Sequence, residues 1–304
     1  MSASRAIGVD IGGTKILAGV VGRDGTVDRR HTLPTPVSSE EGLLEALEEV
    51  VEHLLGKDVA ALGLGVPSQI DQRTGRAVSS VHVPLSDVDL RGRMTSRFGL
   101  PVGIDNDGNA AAIAEWKLGA GRGTSNLVLL TLGTGIGGGL ILDGRPFRGS
   151  VGAGAELGHM VLDYGGPPCK GDCTGNGHFE AFAAGSAANA LARARFGEHA
   201  DARRLVDAAE AGDEGAKSDL AELGHRLGAG IGSLVNIFNP ELVIIGGGFA
   251  DAGELILGPA RETLAVEGLP LPREIVRIVR ADLAHEAGMI GAALVGFEAL
   301  DGPA

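Results

Sequence analysis

The sequence predicts an α/β protein built as two units. Three observations carry this: short apolar strands at the start give way to alternating helix and strand patterns, a strand–glycine–strand theme returns after residue 119, and 304 residues with 44% hydrophobic content suffice for two lobes.

Taken in order, Ala6–Ile11 and Ile16–Val21 read as two short strands, and Arg23-Asp-Gly-Thr26 supplies a turn before a third strand around Val27–Leu33. Glu40–Leu55 places Leu43, Leu44, Leu47, Val50, Val51, Leu54 and Leu55 at helical spacing. Ala60–Val66 is a buried strand closed by Pro67. Asp87–Phe98 reads as a helix, Pro101–Asp105 as a strand and Asn109–Leu118 as an Ala-rich helix. The second unit opens near Gly119, with a strand over Asn126–Leu132, the run Gly133-Thr-Gly-Ile-Gly-Gly-Gly139 and a strand over Leu140–Asp143. A loop-rich stretch from Gly144 to Gly177 follows, then helical sequence from Phe179 to about Asn236, then the strand Leu242–Ile245 with its Gly246–Gly248 turn. A last helix, Ala287–Leu300, is free to return to the first lobe. The expected boundaries are 1–118 with about 287–304 for the smaller lobe and 119–286 for the larger.

A net charge of -13 argues against nucleic acid and anionic lipid as partners, because their capture relies on basic surface. The opening Met1–Arg5 leads straight into a strand interrupted by Asp10, which is too short for a secretory signal. No apolar run approaches the roughly 18 residues of a membrane span, so a cytoplasmic protein is expected. The two cysteines, Cys169 and Cys173, suit metal ligation better than a disulfide framework. The 51 glycines gather at the ends of apolar segments, where bare backbone can approach a ligand.

Asp10-Ile-Gly-Gly-Thr-Lys15 joins two strands. The N–H groups of Gly12 and Gly13 suit a phosphate there, and Asp10 suits a hydrated Mg²⁺; a tight turn with incidental charge is the plainer reading. Gly133-Thr-Gly-Ile-Gly-Gly138 has the spacing of a dinucleotide-binding loop, but a strand rather than a helix follows it. It fits a second phosphate clamp, with Thr134 and the neighbouring amides on the nucleotide. Ile104-Asp-Asn-Asp-Gly-Asn109 concentrates carboxylates and amides where a strand ends and a helix begins. Such a segment serves equally as a helix N-cap or as a site that recognises sugar hydroxyls.

Asp10-Ile-Gly-Gly-Thr-Lys15, Asn106-Asp-Gly-Asn-Ala-Ala-Ala112, Leu132–Gly139, Glu156-Leu-Gly-His159 and Asn239–Gly248 together resemble the ROK family of sugar kinases and sugar-responsive repressors, in the order and spacing of its bacterial glucokinases. The resemblance implies an actin-like, hexokinase-like (ribonuclease H-like) two-domain fold with mixed sheets and a cleft that closes over hexose and ATP. It implies an ATP-dependent hexokinase that makes glucose 6-phosphate. Another hexose (N-acetylmannosamine, N-acetylglucosamine, mannose or fructose), a polyphosphate donor or a non-catalytic sensor are the alternatives. It makes Asp107 the general base, with Asp105 as its rival, and puts the sugar on Gly65, Asn106, Asp107, Glu156, His159 and Glu180. It puts ATP on Asp10, Gly12, Gly13, Thr14, Lys15, Gly133, Thr134, Gly135, Gly137, Gly138 and Gly247.

Family members carry a C-x-C-x₄-C cluster that holds Zn²⁺ with an upstream His. Here Cys169 and Cys173 lie two residues further apart, and His178 stands where the third Cys would be. His159, Cys169, Cys173 and His178 then form a Cys₂His₂ set. A polyphosphate enzyme would show more cations beside the phosphates, and only Lys15, Arg145 and Arg148 qualify. The repressors carry a DNA-binding domain ahead of the first phosphate loop, whereas here that loop begins at Asp10. The family also suggests a homodimer or tetramer.

Overall fold

The computed structural model describes residues 4–80, 82–169 and 173–302. Met1–Ala3 of the opening segment and the last two residues of the anticipated C-terminal span lie outside them. Strands β1 (Arg5–Ile11), β2 (Lys15–Val21) and β3 (Val27–Pro34) form an antiparallel meander. Helix α1 (Glu40–Leu54) starts where the Ser39 hydroxyl accepts the Gly42 N–H at 3.2 Å, and it buries the predicted apolar stripe except Leu55, which is the C-cap and is exposed. β4 (Val59–Val66) then runs parallel to β1.

Next come three short strands that the sequence reading did not assign: β5 (Gln69–Asp71), β6 (Arg76–Ser79) and β7 (Ser86–Val88). They form a small antiparallel sheet of their own. The helix expected from Asp87 is corrected by this sheet. Asp87 belongs to β7 with φ of 53°, held by Arg76, and α2 (Leu90–Phe98) begins only after Asp89, whose carboxylate accepts the Gly92 N–H. β8 (Val102–Asn106) completes the first sheet in the order β3-β2-β1-β4-β8, and α3 (Asp107–Leu118) follows without a loop.

The second half repeats this plan. β9 (Leu127–Leu132), β10 (Ile136–Leu142) and β11 (Arg145–Pro146) form a meander, followed by α4 (Phe179–Ala183), α5 (Gly185–Phe196), α6 (Ala202–Glu210) and α7 (Glu214–Phe238). β12 (Leu242–Gly246), α8 (Glu254–Glu267), α9 (Pro270–Ile275), β13 (Arg277–Arg280) and α10 (Ala287–Asp301) close the chain. The second sheet runs β11-β10-β9-β12-β13, with β12 parallel to both of its neighbours.

The layers stack as α1 and α2, the first sheet, α3 with α10, the second sheet, and then α4 to α8. Three apolar clusters fill the spaces between them, and the middle one takes side chains from both sheets, α3 and α10. α10 can lie on the first sheet because Gly19, Gly8, Gly63 and Gly103 are aligned across β2, β1, β4 and β8. A Cβ at Gly8, Gly63 or Gly103 would collide with the carbonyl of Met289, Ala292 or Val295 respectively. These glycines sit inside strands and serve helix packing, so ligand loops account for only part of the glycine content.

Candidate active site

Asp107 owes its position to the capping of α3. Asn106 is the N-cap: its Oδ1 accepts the N–H groups of Gly108 at 2.9 Å and Asn109 at 3.3 Å. The segment therefore contains both a cap and a second carboxylate, Asp107, whose Oδ1 shares the Gly108 N–H at 2.9 Å. Asp105 is fully buried, with Oδ1 accepting from Asn106 N at 2.9 Å and Asn109 Nδ2 at 3.1 Å, and Oδ2 accepting from Arg148 Nε at 2.6 Å. Both of its oxygens are committed to the fold. Only Asp107 of the two faces the cleft.

That cleft has a volume of about 350 Å³. Gly12, Gly13 and Thr14 line one side, Gly133, Thr134, Gly135 and Gly247 another, and Asn106, Asp107, Glu156, His159 and Glu180 complete it. The first turn is closed by Gly12 N on the Lys15 carbonyl at 3.0 Å and is held from behind by the buried Thr35, whose hydroxyl donates to the Gly12 carbonyl at 2.6 Å. The second turn is narrower than its sequence run. It spans Gly133–Gly135, while Gly137 and Gly138 are strand residues of β10 that line the wall. Gly247 has φ of 84° and lies against the backbone of Leu132, a conformation and a contact that suit glycine alone.

Asp10, Lys15 and Gly65 do not line the cleft. Asp10 and Gly65 are register partners in β1 and β4, and a Cβ on Gly65 would lie 3.7 Å from the Asp107 Cα, so Gly65 backs the base. Among the lining residues that the sequence does not mark, five are polar and lie together: Ser68, Gln69, Ser79, Ser80 and His82. All belong to β5, β6 and their flanking turns. The polar Ser79-Ser80 and His82 ahead of apolar Val83–Leu85 were the only available signal.

The cleft concentrates carboxylates. Burial pushes the Asp10 carboxyl up to about 7; the negative charge of Asp107 adds to this and Lys15 opposes it. Burial also raises Asp107, opposed by the Gly108 N–H and His82. Glu156 is raised by burial too, with His159 opposing and Asp107 and Glu180 reinforcing. Such an excess of negative charge suits a neutral polyol together with a phosphate donor that brings its own divalent cation.

Beside the sugar-facing residues lies a metal-ligand cluster. The ligand atoms of His159, Cys169, Cys173 and His178 all fall within 4.8 Å of one another. His159 Nδ1 is 3.1 Å from His178 Nδ1, Cys169 Sγ is 3.6 Å from His159 Nδ1, and Cys173 Sγ is 3.7 Å from His178 Nδ1. Tetrahedral Zn²⁺, with bonds of ~2.3 Å to sulfur and ~2.0 Å to nitrogen, places S···N pairs about 3.5 Å and N···N pairs about 3.3 Å apart. The four residues fit a closed zinc site despite the altered spacing. Residues 170–172 between the cysteines lie outside the described residues. Cys169 Sγ also meets Glu180 Oε1 at 3.1 Å, and Glu180 Oε2 accepts Ile136 N at 3.3 Å, linking cluster and second turn.

A model of the ROK family matches residues 6–297. The chain belongs to the ROK family. It is 36% identical over 317 residues to a glucokinase of Thermotoga maritima, covering 98% of this chain and 99% of the relative. Among solved structures it is similar to a ROK family glucokinase from Streptomyces griseus in complex with glucose and AMPPNP, at 33% identity and a TM-score of 0.87 over 97% of this chain and 100% of that one. It is also similar to a ROK hexokinase from Thermus thermophilus, at 38% identity and a TM-score of 0.82 over 98% of this chain and 100% of that one. The two repeated sheets are thus the actin-like, hexokinase-like fold of the ROK kinases.

Proposed function

We propose that this ROK protein is an ATP-dependent glucokinase that phosphorylates the 6-hydroxyl of glucose, with Asp107 as the base. The supporting observation is the placement of Asp107 in one cleft with both glycine turns and with Glu156, His159 and Glu180, its Oδ1 being engaged by the Gly108 N–H. Two lobes, 1–118 with about 287–304 and 119–286, close this cleft over the substrates.

In the reaction the O6–Pγ bond forms, the bond from Pγ to the β,γ-bridging oxygen breaks, and Asp107 accepts the hydroxyl proton, giving glucose 6-phosphate and ADP. Asn106, Glu156, His159 and Glu180 offer the mixed donors and acceptors that a ring of hydroxyls needs. Gly12, Gly13 and Thr14 form one phosphate clamp, and Lys15, expected beside them, stands outside the lining. Gly133, Thr134, Gly135, Gly137 and Gly138 form the other, and Gly247 gives the base a flat bed. Mg²⁺ would neutralise the phosphate oxygens when bound, and Asp10, at the end of β1 behind the first turn, is the carboxylate we assign to its water shell. His159, Cys169, Cys173 and His178 would hold zinc, which would fix the orientation of His159, whose Nδ1 faces the cluster while the residue lines the cleft.

ATP is favoured over polyphosphate because, among the described residues, Lys15, Arg145 and Arg148 are all absent from the cleft lining, and Arg148 is spent on Asp105 and Glu298. A coupled ADP-release assay over a hexose panel, with polyphosphate as rival donor, tests the assignment. Glucose with ATP should give the highest kcat/KM, and preference for another hexose or donor refutes it. Among the described residues no helix is long and apolar enough to cross a membrane, which supports a cytoplasmic location. Exposed Ile237, Val266, Leu269, Leu271 and Ile275, at the ends of α7 and α8 and around α9, support self-association as a homodimer. Sedimentation of the free protein checks it, and a monomer at micromolar concentration counts against it.

A further inference from the structure

Glu115 is a buried carboxylate, with no side-chain exposure, that the cleft chemistry does not use. It lies in the last turn of α3, the helix whose first residue is Asp107. Three backbone N–H groups converge on it: Ala120 N donates to Oε2 at 2.9 Å, Asp282 N to Oε2 at 3.2 Å and Leu283 N to Oε1 at 2.8 Å.

Ala120 belongs to the segment that leads from α3 into the second sheet, at β9. Asp282 and Leu283 belong to the segment that leaves the second sheet at β13 and returns to the first at α10. These are the two connections between the sheets, far apart in sequence, and one carboxylate holds both. The fit is close on the α3 side as well, because a Cβ at Gly119 would collide with Glu115 Oε2. Neighbouring Trp116 adds a third tie, its indole N–H donating to the Thr124 carbonyl of the first connection at 2.9 Å.

We propose that Glu115 is the pin of the hinge between the lobes, a positioning residue that couples their closure to the placement of Asp107. The proposal rests on the kinase and two-lobe reading above. Both connections are anchored to the far end of the helix that presents the base. A movement of the second sheet about this point therefore brings its glycine turn toward Asp107 along one path. The chemistry requires a carboxylate: three donors share two acceptor oxygens, whereas a glutamine replaces one of those oxygens with a further donor. A cap inside one lobe would only stabilise that lobe, but this one joins the two segments on which the lobes move.

The chain carries its own reporter, since Trp116 is its one tryptophan. In the wild type, glucose should change the Trp116 emission as the lobes close, and scattering should show compaction with glucose and a nonhydrolysable ATP analogue. Glu115→Gln should unfold cooperatively yet lose most of both responses, with kcat/KM for glucose about tenfold lower because the closed state is less populated. Glu115→Asp, which keeps the charge on a shorter arm, should recover part of the loss. Lower thermal stability in both variants with wild-type emission response and kcat/KM would overturn the proposal, as would failure of both to fold, because Glu115 is then only a structural cap. A wild type that turns over glucose with no emission change overturns it as well. Absence of ADP release with every hexose instead refutes the kinase reading, and the hinge is then judged on the response to the ATP analogue alone.

Discussion

Replacing Arg148 with Met tests whether the base is positioned from across the cleft. Arg148 follows β11, at the edge of the second sheet, and its Nε reaches Asp105 Oδ2 at 2.6 Å, two residues before Asp107. Asp105 has no exposed side-chain surface and Arg148 is 25% exposed. Removing one partner of a buried ion pair costs about 3–5 kcal/mol, because the other charge is left buried. Here Asp105 keeps the N–H donors of Asn106 and Asn109, and partial exposure of Arg148 weakens the pair, so about 2–4 kcal/mol is expected. The Glu298 contact adds little, since Glu298 is 48% exposed. Denaturant titration of wild type, Arg148→Met, Asp105→Asn and the double variant gives the coupling, expected at about 1–3 kcal/mol. The double variant should be more stable than Arg148→Met, since no orphaned charge remains. A single variant within about 0.5 kcal/mol of wild type, or strict additivity in the cycle, would refute the reasoning.

Asp107→Asn should lower kcat by about 10²–10⁴-fold in ADP release while glucose still binds, and full activity overturns the base assignment. Protein purified without an affinity tag should contain close to one equivalent of zinc, and a chelator should raise the glucose KM more than it lowers kcat; under half an equivalent counts against the site. Asp10 carries a pH dependence of defined sign. Its folded value of about 7 lies above the ordinary 3.8, so its contribution to stability is complete below 3.8 and is lost as pH rises through about 7. The stability of the wild type minus that of Asp10→Asn, measured by denaturant titration, should therefore fall between pH ~4 and ~7, and a flat difference refutes the burial argument.

What could be read from the sequence was local. The apolar stripe of α1 and its Ser39 cap follow from spacing within one element, and the run from Asn106 to Asn109 reveals its chemistry because the residues are adjacent. What escaped depends on partners distant in the chain. Asp105 was a rival base until Arg148 and Asn109 were seen to occupy its oxygens. Thr35 supports the Gly12 carbonyl from just beyond the end of β3. The strands β5, β6 and β7 are only three or four residues long, too short for alternation to show, and so His82 and the serines beside it went unmarked. Asp87 was misread because a positive φ leaves no trace in hydrophobic spacing.

The row formed by Gly8, Gly63 and Gly103 also bears on the order of assembly. It leaves a channel of bare backbone on the first sheet, and the segment that fills it, Met289–Val295, is synthesised long after β8. At roughly 5–20 residues per second the ribosome needs some ~10–40 s to deliver it. During that interval β1, β4 and β8 have only α3 on their inner face and lack α10 while the whole second sheet is being made. Translation that halts before α10 thus yields no stable first lobe, only a sheet with an open apolar trough, the kind of surface that chaperones hold and proteases clear.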